Sequence, residues 1–364
     1  MTTTRFDDDE PDLDALYADL AAADLQPLWR QAGLLPPAPN RLGPHRWDGR
    51  TLRALAERAG ALVGIDRGGD RRVLALSHPD LGGLPFATHT LWAAVQYLKG
   101  HESAPAHRHS PAALRFVLEG SGVWTLVDGD PIAMEPGDLV LTPGNTWHEH
   151  RSRGDEPMIW FDGLDLPLVR ALDAVFFEPG PDDLTPFSPG DPCRSEERFG
   201  RVGLRPAGEA APGRHSALLV YRWDATDAAL RAQLASTGRD HARVRYTDPA
   251  TGADVMPTLR AELQRVLAGG RTTATRTVGS AVCVVHRGAG SSLVGGHRVD
   301  WTAGDVFVVP SWAWAQHRAD ADADLFVLSD TPVIEALGLG RRAERSETEE
   351  NTPMPGISRV GGTS

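Results

Sequence analysis

The 364-residue sequence has few cysteines, no long apolar run and no excess of positive charge. Its two cysteines, Cys193 and Cys283, stand far apart without Cys-x-x-Cys spacing, which argues against a disulfide framework and against a cysteine zinc cluster. No apolar run approaches the roughly 20 residues that span a bilayer, and the N-terminus lacks the apolar core of a signal peptide. These absences predict a cytoplasmic protein that does not insert into membranes.

The charge balance narrows the range of partners further. A formal net charge of −12 without a local basic patch argues against a nucleic-acid partner and against an anionic membrane surface. The hydrophobic content of 41% is ordinary for a globular protein, and the length is sufficient for two domains with full cores.

Three histidines stand out in the segment that runs from residue 107 to residue 150. His107 and His109 alternate along an extended segment, so both imidazoles point to one face of a strand. The third, His148, follows a Gly-Asp turn, an apolar strand and Pro143. Together the three imidazoles can hold one divalent metal and leave positions open for reactants. Iron(II), zinc, copper and nickel all accept imidazole, so these ligands do not by themselves select the metal.

This arrangement resembles the two-part cupin motif. Its His-x-His pair, hairpin and Gly-Asp-x4-Pro-x4-His run match the motif, although Ser110, Pro111, Ala112 and Ala113 follow His109 where a glutamate is usual. The resemblance implies an all-β fold with N-terminal helices, namely a bicupin of two double-stranded β-helix (jelly-roll) barrels.

A narrower resemblance covers residues 16 to about 339. The matching segments are residues 16–20, 27–29, 71–74, 90–98, 106–109, 113–116, 146–150 and 158–165. In this order they resemble gentisate 1,2-dioxygenase and its salicylate- and 1-hydroxy-2-naphthoate-cleaving relatives. The resemblance implies one Fe(II) per chain on His107, His109 and His148, and cleavage of a hydroxylated aromatic carboxylic acid by O2, with gentisate giving maleylpyruvate. It also implies a homotetramer.

The same resemblance suggests roles for further residues. His150 and Asp162 are expected in catalysis, and Arg115, Arg71, Trp92 and Gln96 in substrate binding. Arg115 interrupts an apolar strand, and a buried guanidinium needs a partner. That partner is either the substrate carboxylate or an acid within the protein. Trp92 is alternatively a core residue, Arg71 a surface charge and Asp162 an exposed carboxylate at a strand end.

An internal repeat indicates the second barrel. Gly288-Ala289-Gly290 repeats Gly120-Ser121-Gly122 at an offset of 168, and a second Gly-Asp turn at residues 304 and 305 repeats the first at an offset of 167. Thr275, Thr277 and Ala315 replace the three histidines, whereas His317 corresponds to His150. We therefore predict a second barrel without a metal site.

The predicted organisation has five parts. An acidic tail and helices occupy residues 1–60, a metal-binding barrel 61–178, a linker 179–215, a metal-free barrel 216–340 and a tail 341–364. Two alternatives to gentisate cleavage remain open at this point. One is the same reaction on salicylate, 1-hydroxy-2-naphthoate or another hydroxybenzoate, and the other is a cupin that binds a ligand or metal without turnover.

Overall fold

The computed structural model describes residues 11–31, 33–36, 38–39, 42–64, 72–180, 186–208 and 213–345. The chain divides into two units, Met1–Pro39 and Asn40–Ser364. The predicted acidic tail and the greater part of the predicted C-terminal tail lie outside the described residues. None of the described helices is long and apolar enough to cross a membrane.

The chain contains six α-helices and twenty strands in the part that the structure describes. The helices are α1 (Pro11–Ala22), α2 (Gly49–Leu62), α3 (Leu166–Ala171), α4 (Arg194–Phe199), α5 (Trp223–Thr237) and α6 (Thr331–Ala336). The strands are β1 (Arg46–Trp47), β2 (Val73–Ala75), β3 (Trp92–Leu98), β4 (Ser103–His109), β5 (Ala113–Glu119), β6 (Val123–Val127), β7 (Asp130–Met134), β8 (Leu139–Thr142), β9 (His148–Ser152), β10 (Met158–Leu164), β11 (Phe177–Pro179), β12 (Val220–Tyr221), β13 (His241–Arg245), β14 (Arg260–Val266), β15 (Thr275–Thr277), β16 (Ala281–Val294), β17 (His297–Thr302), β18 (Val306–Val309), β19 (Ala315–Ser329) and β20 (Arg342–Glu344). Short 3-10 turns lie at Leu28–Arg30 and Pro79–Leu81.

The first unit contains α1 and the 3-10 turn. The indole Nε1 of Trp29 donates to the Tyr17 hydroxyl at 3.3 Å, and the Arg30 guanidinium lies 4.4 Å from the centre of the Tyr17 ring. Helix α1 lies in the N-terminal segment for which the sequence predicts helices.

The first half of the second unit forms a jelly roll of two antiparallel sheets. One sheet has the order β12-β8-β5-β10-β3-β2 and the other β11-β4-β9-β6-β7. Strand β3 begins at Trp92, after a turn at Thr88. The Thr88 hydroxyl accepts from the backbone N–H groups of Thr90 and Leu91, so a turn forms there.

The second half builds one connected sheet of nine strands. Its two long strands, β16 and β19, pair with each other almost from end to end, with register shifts between Val285 and Gly290. Such irregularities bend a strand and let it continue from one layer of a barrel into the next. In the first half a turn at Gly120–Gly122 separates β5 from β6 at the corresponding place. The predicted fold class, a bicupin with N-terminal helices, is confirmed.

Each barrel holds the segment that precedes the other barrel. β1 pairs with β18 of the second barrel, while β12 pairs with β8 of the first. The Asp138 carboxylate accepts from the backbone N–H of Trp223, at the start of α5, at 2.8 Å. In the same way Asp305 accepts from the backbone N–H of Gly49, at the start of α2, at 2.7 Å. The repeated Gly-Asp turns thus position the two helices reciprocally, a relation that no local sequence signal indicates.

The two barrels also share one apolar core. Phe116 of the first barrel stacks on Phe326 of the second, with ring centres 4.4 Å apart and planes 12° apart, and both side chains are fully buried. Thr258 donates to Asp165 at 2.5 Å, and Thr90 donates to Asp330 in the equivalent bond of the repeat. This packing turns the alternate face of β5, which carries Arg115, toward the interior of the first barrel.

Candidate active site

Two adjacent strands bring the three predicted metal ligands together. His107 and His109 lie on β4, His148 lies on β9, and His107 is directly paired with His148 in the antiparallel register. The ring centres of His107 and His109 lie 4.3 and 4.8 Å from that of His148. One potential ligand atom from each ring lies within 4.8 Å of the others. The residues that the spacing singled out therefore form one cluster.

A repeated hydrogen bond fixes which nitrogen each ring presents. The Nδ1 atoms of His107, His109 and His148 bond to carbonyl oxygens two residues away, those of Pro105, Pro111 and Thr146, at 3.0, 2.8 and 3.1 Å. A carbonyl oxygen can only accept, so each Nδ1 carries the proton and each Nε2 keeps its lone pair for a metal.

Burial completes the fit to a metal. The Nε2 atom of His148 is buried without a hydrogen-bond partner in the described part of the chain, which is costly unless an ion or water occupies the site. Burial also lowers the pKa of His109 to about 4 and that of His148 well below its usual value. Both rings therefore stay neutral, the form that binds a divalent metal.

The second barrel has lost this centre at the equivalent positions. Thr275 pairs with Ala315 in the antiparallel register, as His107 pairs with His148 in the first barrel. Neither side chain offers an imidazole. No second group of metal-binding side chains occurs among the described residues.

Arg115 is buried within the first barrel and has partners inside the protein. Its Nε lies 3.3 Å from Oδ1 of Asp162 on the neighbouring strand, and its Nη1 donates to the Thr142 hydroxyl. Burial lowers the pKa of Arg115, and Asp162 opposes that shift. Burial raises the pKa of Asp162 to about 6, although Arg115 and an N–H from Trp160 favour its charged form. Arg115 is therefore paired with an acid within the protein, which is one of the two partners expected from the sequence.

His150 follows His148 by two residues on β9, so both rings point to the same face of the strand. Its Nδ1 lies 2.8 Å from the hydroxyl of Thr125 on β6, and its ring centre is 5.2 Å from that of Trp160. The pKa of His150 is held well below its usual value, chiefly by burial. The Asp162 carboxylate contacts Arg115 and Trp160, and no hydrogen bond joins it to His150 within the described structure.

Three further residues were predicted to bind substrate, namely Gln96, Trp92 and Arg71, and they lie in different surroundings. Gln96 is buried in β3, opposite Trp160 of β10 in the register. Trp92, at the start of β3, is partly buried and packs against the apolar cluster of Leu42, Leu81 and Phe86. Arg71 lies outside the described residues.

Local contacts account for the charged pair on the outer face of β9 and for the Gly144-Asn145 loop that precedes the strand. Glu149 and Arg151 point to the outer face of β9, where they form a buried ion pair at 2.7 Å beneath the ring of Phe187. In the loop, a Cβ on Gly144 would lie 2.4 Å from the Ser110 carbonyl oxygen. The Asn145 backbone N–H donates to the His109 carbonyl at 2.7 Å. These contacts hold β4 and β9, the two strands that carry the three histidines, from the side opposite the imidazole rings.

Three residues of the site were not predicted from the sequence. Thr125 contacts His150, Met134 contacts Thr125, and Thr142 contacts Arg115. The alternation of Val123, Thr125 and Val127 does predict that Thr125 shares the interior face of its strand. No sequence signal pairs that hydroxyl with a histidine 25 residues later.

Comparisons with known proteins agree with this geometry. A family model described as a cupin domain matches residues 94–164. The chain is 49% identical over 352 residues to a gentisate 1,2-dioxygenase from Streptomyces sp, covering 94% of this chain and 98% of that protein. It is 38% identical to a 5-aminosalicylate 1,2-dioxygenase from Comamonas sp, covering 91% and 90% of the two chains. A crystal structure of salicylate 1,2-dioxygenase from Pseudoaminobacter salicylatoxidans, with gentisate, superposes with a TM-score of 0.91. That match has 43% identity and covers 95% and 98% of the two chains.

Proposed function

The chain belongs to the gentisate 1,2-dioxygenase family of ring-cleaving dioxygenases, and we propose that it is an Fe(II)-dependent enzyme acting on a hydroxylated aromatic carboxylic acid, gentisate foremost. The membership confirms the resemblance predicted from the sequence and argues against a cupin that only binds a ligand. Gentisate is the first candidate because the 49% identical relative carries that name. The product would be maleylpyruvate, which contains both atoms of O2.

The observation on which the metal proposal chiefly rests is the convergence of three histidines whose Nδ1 atoms all bond to carbonyl oxygens. His107, His109 and His148 would hold the iron, one ion per chain. Iron(II) on these ligands supplies the open coordination positions and the redox chemistry that reaction with dioxygen requires. The chain itself contributes binding, orientation and proton handling.

In this proposal Arg115 binds the substrate carboxylate and His150 receives a proton from the ring hydroxyl. The Arg115 guanidinium adjoins the triad closely enough that its charge lowers the pKa values of His109, His148 and His150. Asp162 would hold Arg115 in place through their ion pair, while Trp92 and Gln96 would flank the ring. A carboxylate and a fixed guanidinium form short, charge-assisted bonds that orient the ring.

Salicylate is the second candidate substrate, favoured by the close superposition on a salicylate-cleaving enzyme. Oxygen uptake and the absorbance of the ring-opened product, measured on iron-loaded protein, separate the candidates. We expect gentisate to give the highest kcat/KM among gentisate, salicylate and 1-hydroxy-2-naphthoate. Uptake with none of the three would contradict the proposed function.

We further propose a homotetramer located in the cytoplasm. Exposed apolar side chains support assembly, among them Leu172, Phe176 and Phe177, and the ring of Phe177 stacks on His107 at 5.4 Å. Light scattering on the purified protein tests the tetramer, and a monomeric mass would contradict it.

A further inference from the structure

The hydroxyl of Thr125 lies between a histidine and a sulfur atom. Its oxygen is 2.8 Å from Nδ1 of His150 and 3.0 Å from Sδ of Met134, and all three side chains are buried. A thioether sulfur has no proton to donate. The hydroxyl is therefore the donor in the contact with Met134, and its single proton is directed at the sulfur atom. The Thr125 oxygen is then left to accept a proton from Nδ1.

The equivalent hydroxyl in the second barrel has the opposite surroundings. Ser292 lies 2.6 Å from Nδ1 of His317, at the same offset of 167 residues from Thr125 and His150. Here the third partner is Trp301, whose indole Nε1 donates to the Ser292 oxygen at 2.8 Å. Indole can only donate, so the serine proton is free to point at His317. A serine proton directed at His317 makes Nδ1 of that ring the acceptor and places the ring proton on Nε2.

From this contrast we infer that Thr125, directed by Met134, is a positioning residue that holds His150 with its proton on Nδ1 and its lone pair on Nε2, the reverse of His317. A neutral imidazole carries a single proton, so a ring that donates through Nδ1 keeps its lone pair on Nε2. The choice between a donor and an acceptor side chain, Trp301 or Met134, sets the tautomer in each barrel.

The consequence for catalysis rests on the proposed function. An Nε2 lone pair on the face that also carries the metal ligands can accept a proton from a substrate hydroxyl, whereas an Nε2–H cannot. The second barrel retains the equivalent histidine, His317, but as the Nε2–H tautomer, which cannot accept a proton at Nε2. The loss of the metal site in the second barrel is therefore accompanied by a reversed histidine.

Nitrogen-15 NMR of histidine-labelled protein tests the inference without any turnover. Two-bond correlations show which ring nitrogen carries the proton, and they are measured on the metal-free and zinc-loaded forms because both are diamagnetic. We expect Nδ1–H for His150 and Nε2–H for His317, with the signals assigned from His150→Gln and His317→Gln. An Nε2–H pattern on His150 in the unmodified protein overturns the inference.

Variants connect the tautomer to the reaction. Met134→Leu is close in volume, so the barrel should remain folded, but the hydroxyl proton loses its acceptor and turns toward His150. We expect the His150 signal to change to Nε2–H and kcat to fall about 10- to 100-fold, with KM within about twofold, because general base catalysis contributes at least that much. Thr125→Ser keeps the hydroxyl and should keep the Nδ1–H signal.

Ser292→Ala in the second barrel is the matched control. It removes the partner of His317 and should leave both the His150 signal and kcat unchanged. A Met134→Leu enzyme that loses activity while His150 keeps its Nδ1–H signal contradicts the inference. The expected tautomers, together with no turnover of any hydroxylated aromatic acid, would contradict the proposed function and leave the tautomer assignment standing.

Discussion

Replacing Arg115 with leucine tests how the first barrel recognises its substrate. The guanidinium is buried close enough to His148 to affect its pKa, and its Nε lies 3.3 Å from Oδ1 of Asp162. If it also binds the substrate carboxylate, its removal should cost on the order of 2–5 kcal/mol of transition-state binding. At about 1.4 kcal/mol for each tenfold change, kcat/KM should fall about 30- to 4,000-fold. Iron content should stay the same because Arg115 is not a metal ligand.

The chain offers a matched control for the cost of burying a charge. Arg151 pairs with Glu149 on the outer face of β9, with side chains 4% and 3% exposed, and Arg115 and Asp162 are each 5% exposed. Removing either arginine leaves a buried carboxylate without its partner, at a cost of about 3–5 kcal/mol in the free energy of unfolding. Arg115→Leu and Arg151→Leu should therefore lose similar stability, but only the first should lose activity.

The stability loss of Arg115→Leu should depend on pH. Burial already raises the pKa of Asp162 to about 6, from 3.8, so the folded protein takes up this proton more readily than the unfolded chain. A raised carboxyl pKa contributes stability at low pH that is lost as the pH rises through the folded-state pKa. Without Arg115 this pKa rises further, because no positive charge opposes burial. Urea unfolding should show a smaller loss at pH 5 than at pH 8.

Steady-state kinetics on the best aromatic acid, combined with elemental analysis, completes the experiment. Arg115→Lys should recover little activity, since an ammonium group does not reproduce the planar fork of a guanidinium. The reasoning is refuted if Arg115→Leu keeps near wild-type kcat/KM while its stability falls as far as that of Arg151→Leu. Arg115 would then be a structural ion-pair partner only.

Three further predictions concern the metal. Anaerobic reconstitution should give about one iron per chain by elemental analysis, and two per chain would show that the second barrel also binds iron. His148→Ala should abolish iron retention and activity, with a circular dichroism spectrum like that of the metal-free wild type. His317→Ala also removes a buried imidazole, but from the second barrel, and should retain iron. Iron bound normally to His148→Ala would be incompatible with the proposed site. Because burial lowers the pKa of His109 to about 4, this ring should stay neutral well below pH 6.5; a His109 ring that is protonated at pH 6 in an NMR titration of the metal-free protein would contradict this.

The sequence by itself determined the fold class and the cluster of three histidines. Period-two alternation placed His107 and His109 on one face, and the spacing of the Gly-Asp turn, Pro143 and His148 predicted the third ligand. The repeat at offsets of 167 and 168 likewise predicted a second barrel with Thr275 and Ala315 at the ligand positions. These features are local because strand alternation and tight turns depend on neighbouring residues.

The partners of each buried polar group were decided by the tertiary structure. The sequence indicated that Arg115 needs a partner but not that Asp162 supplies it, because that contact depends on the register between β5 and β10. Thr125 and His150 meet across β6 and β9 in the same way. The reciprocal exchange of β1 and β12 between the barrels is equally invisible along the chain. Antiparallel register is set by how whole strands pack their apolar faces, and that information is distributed over the entire core.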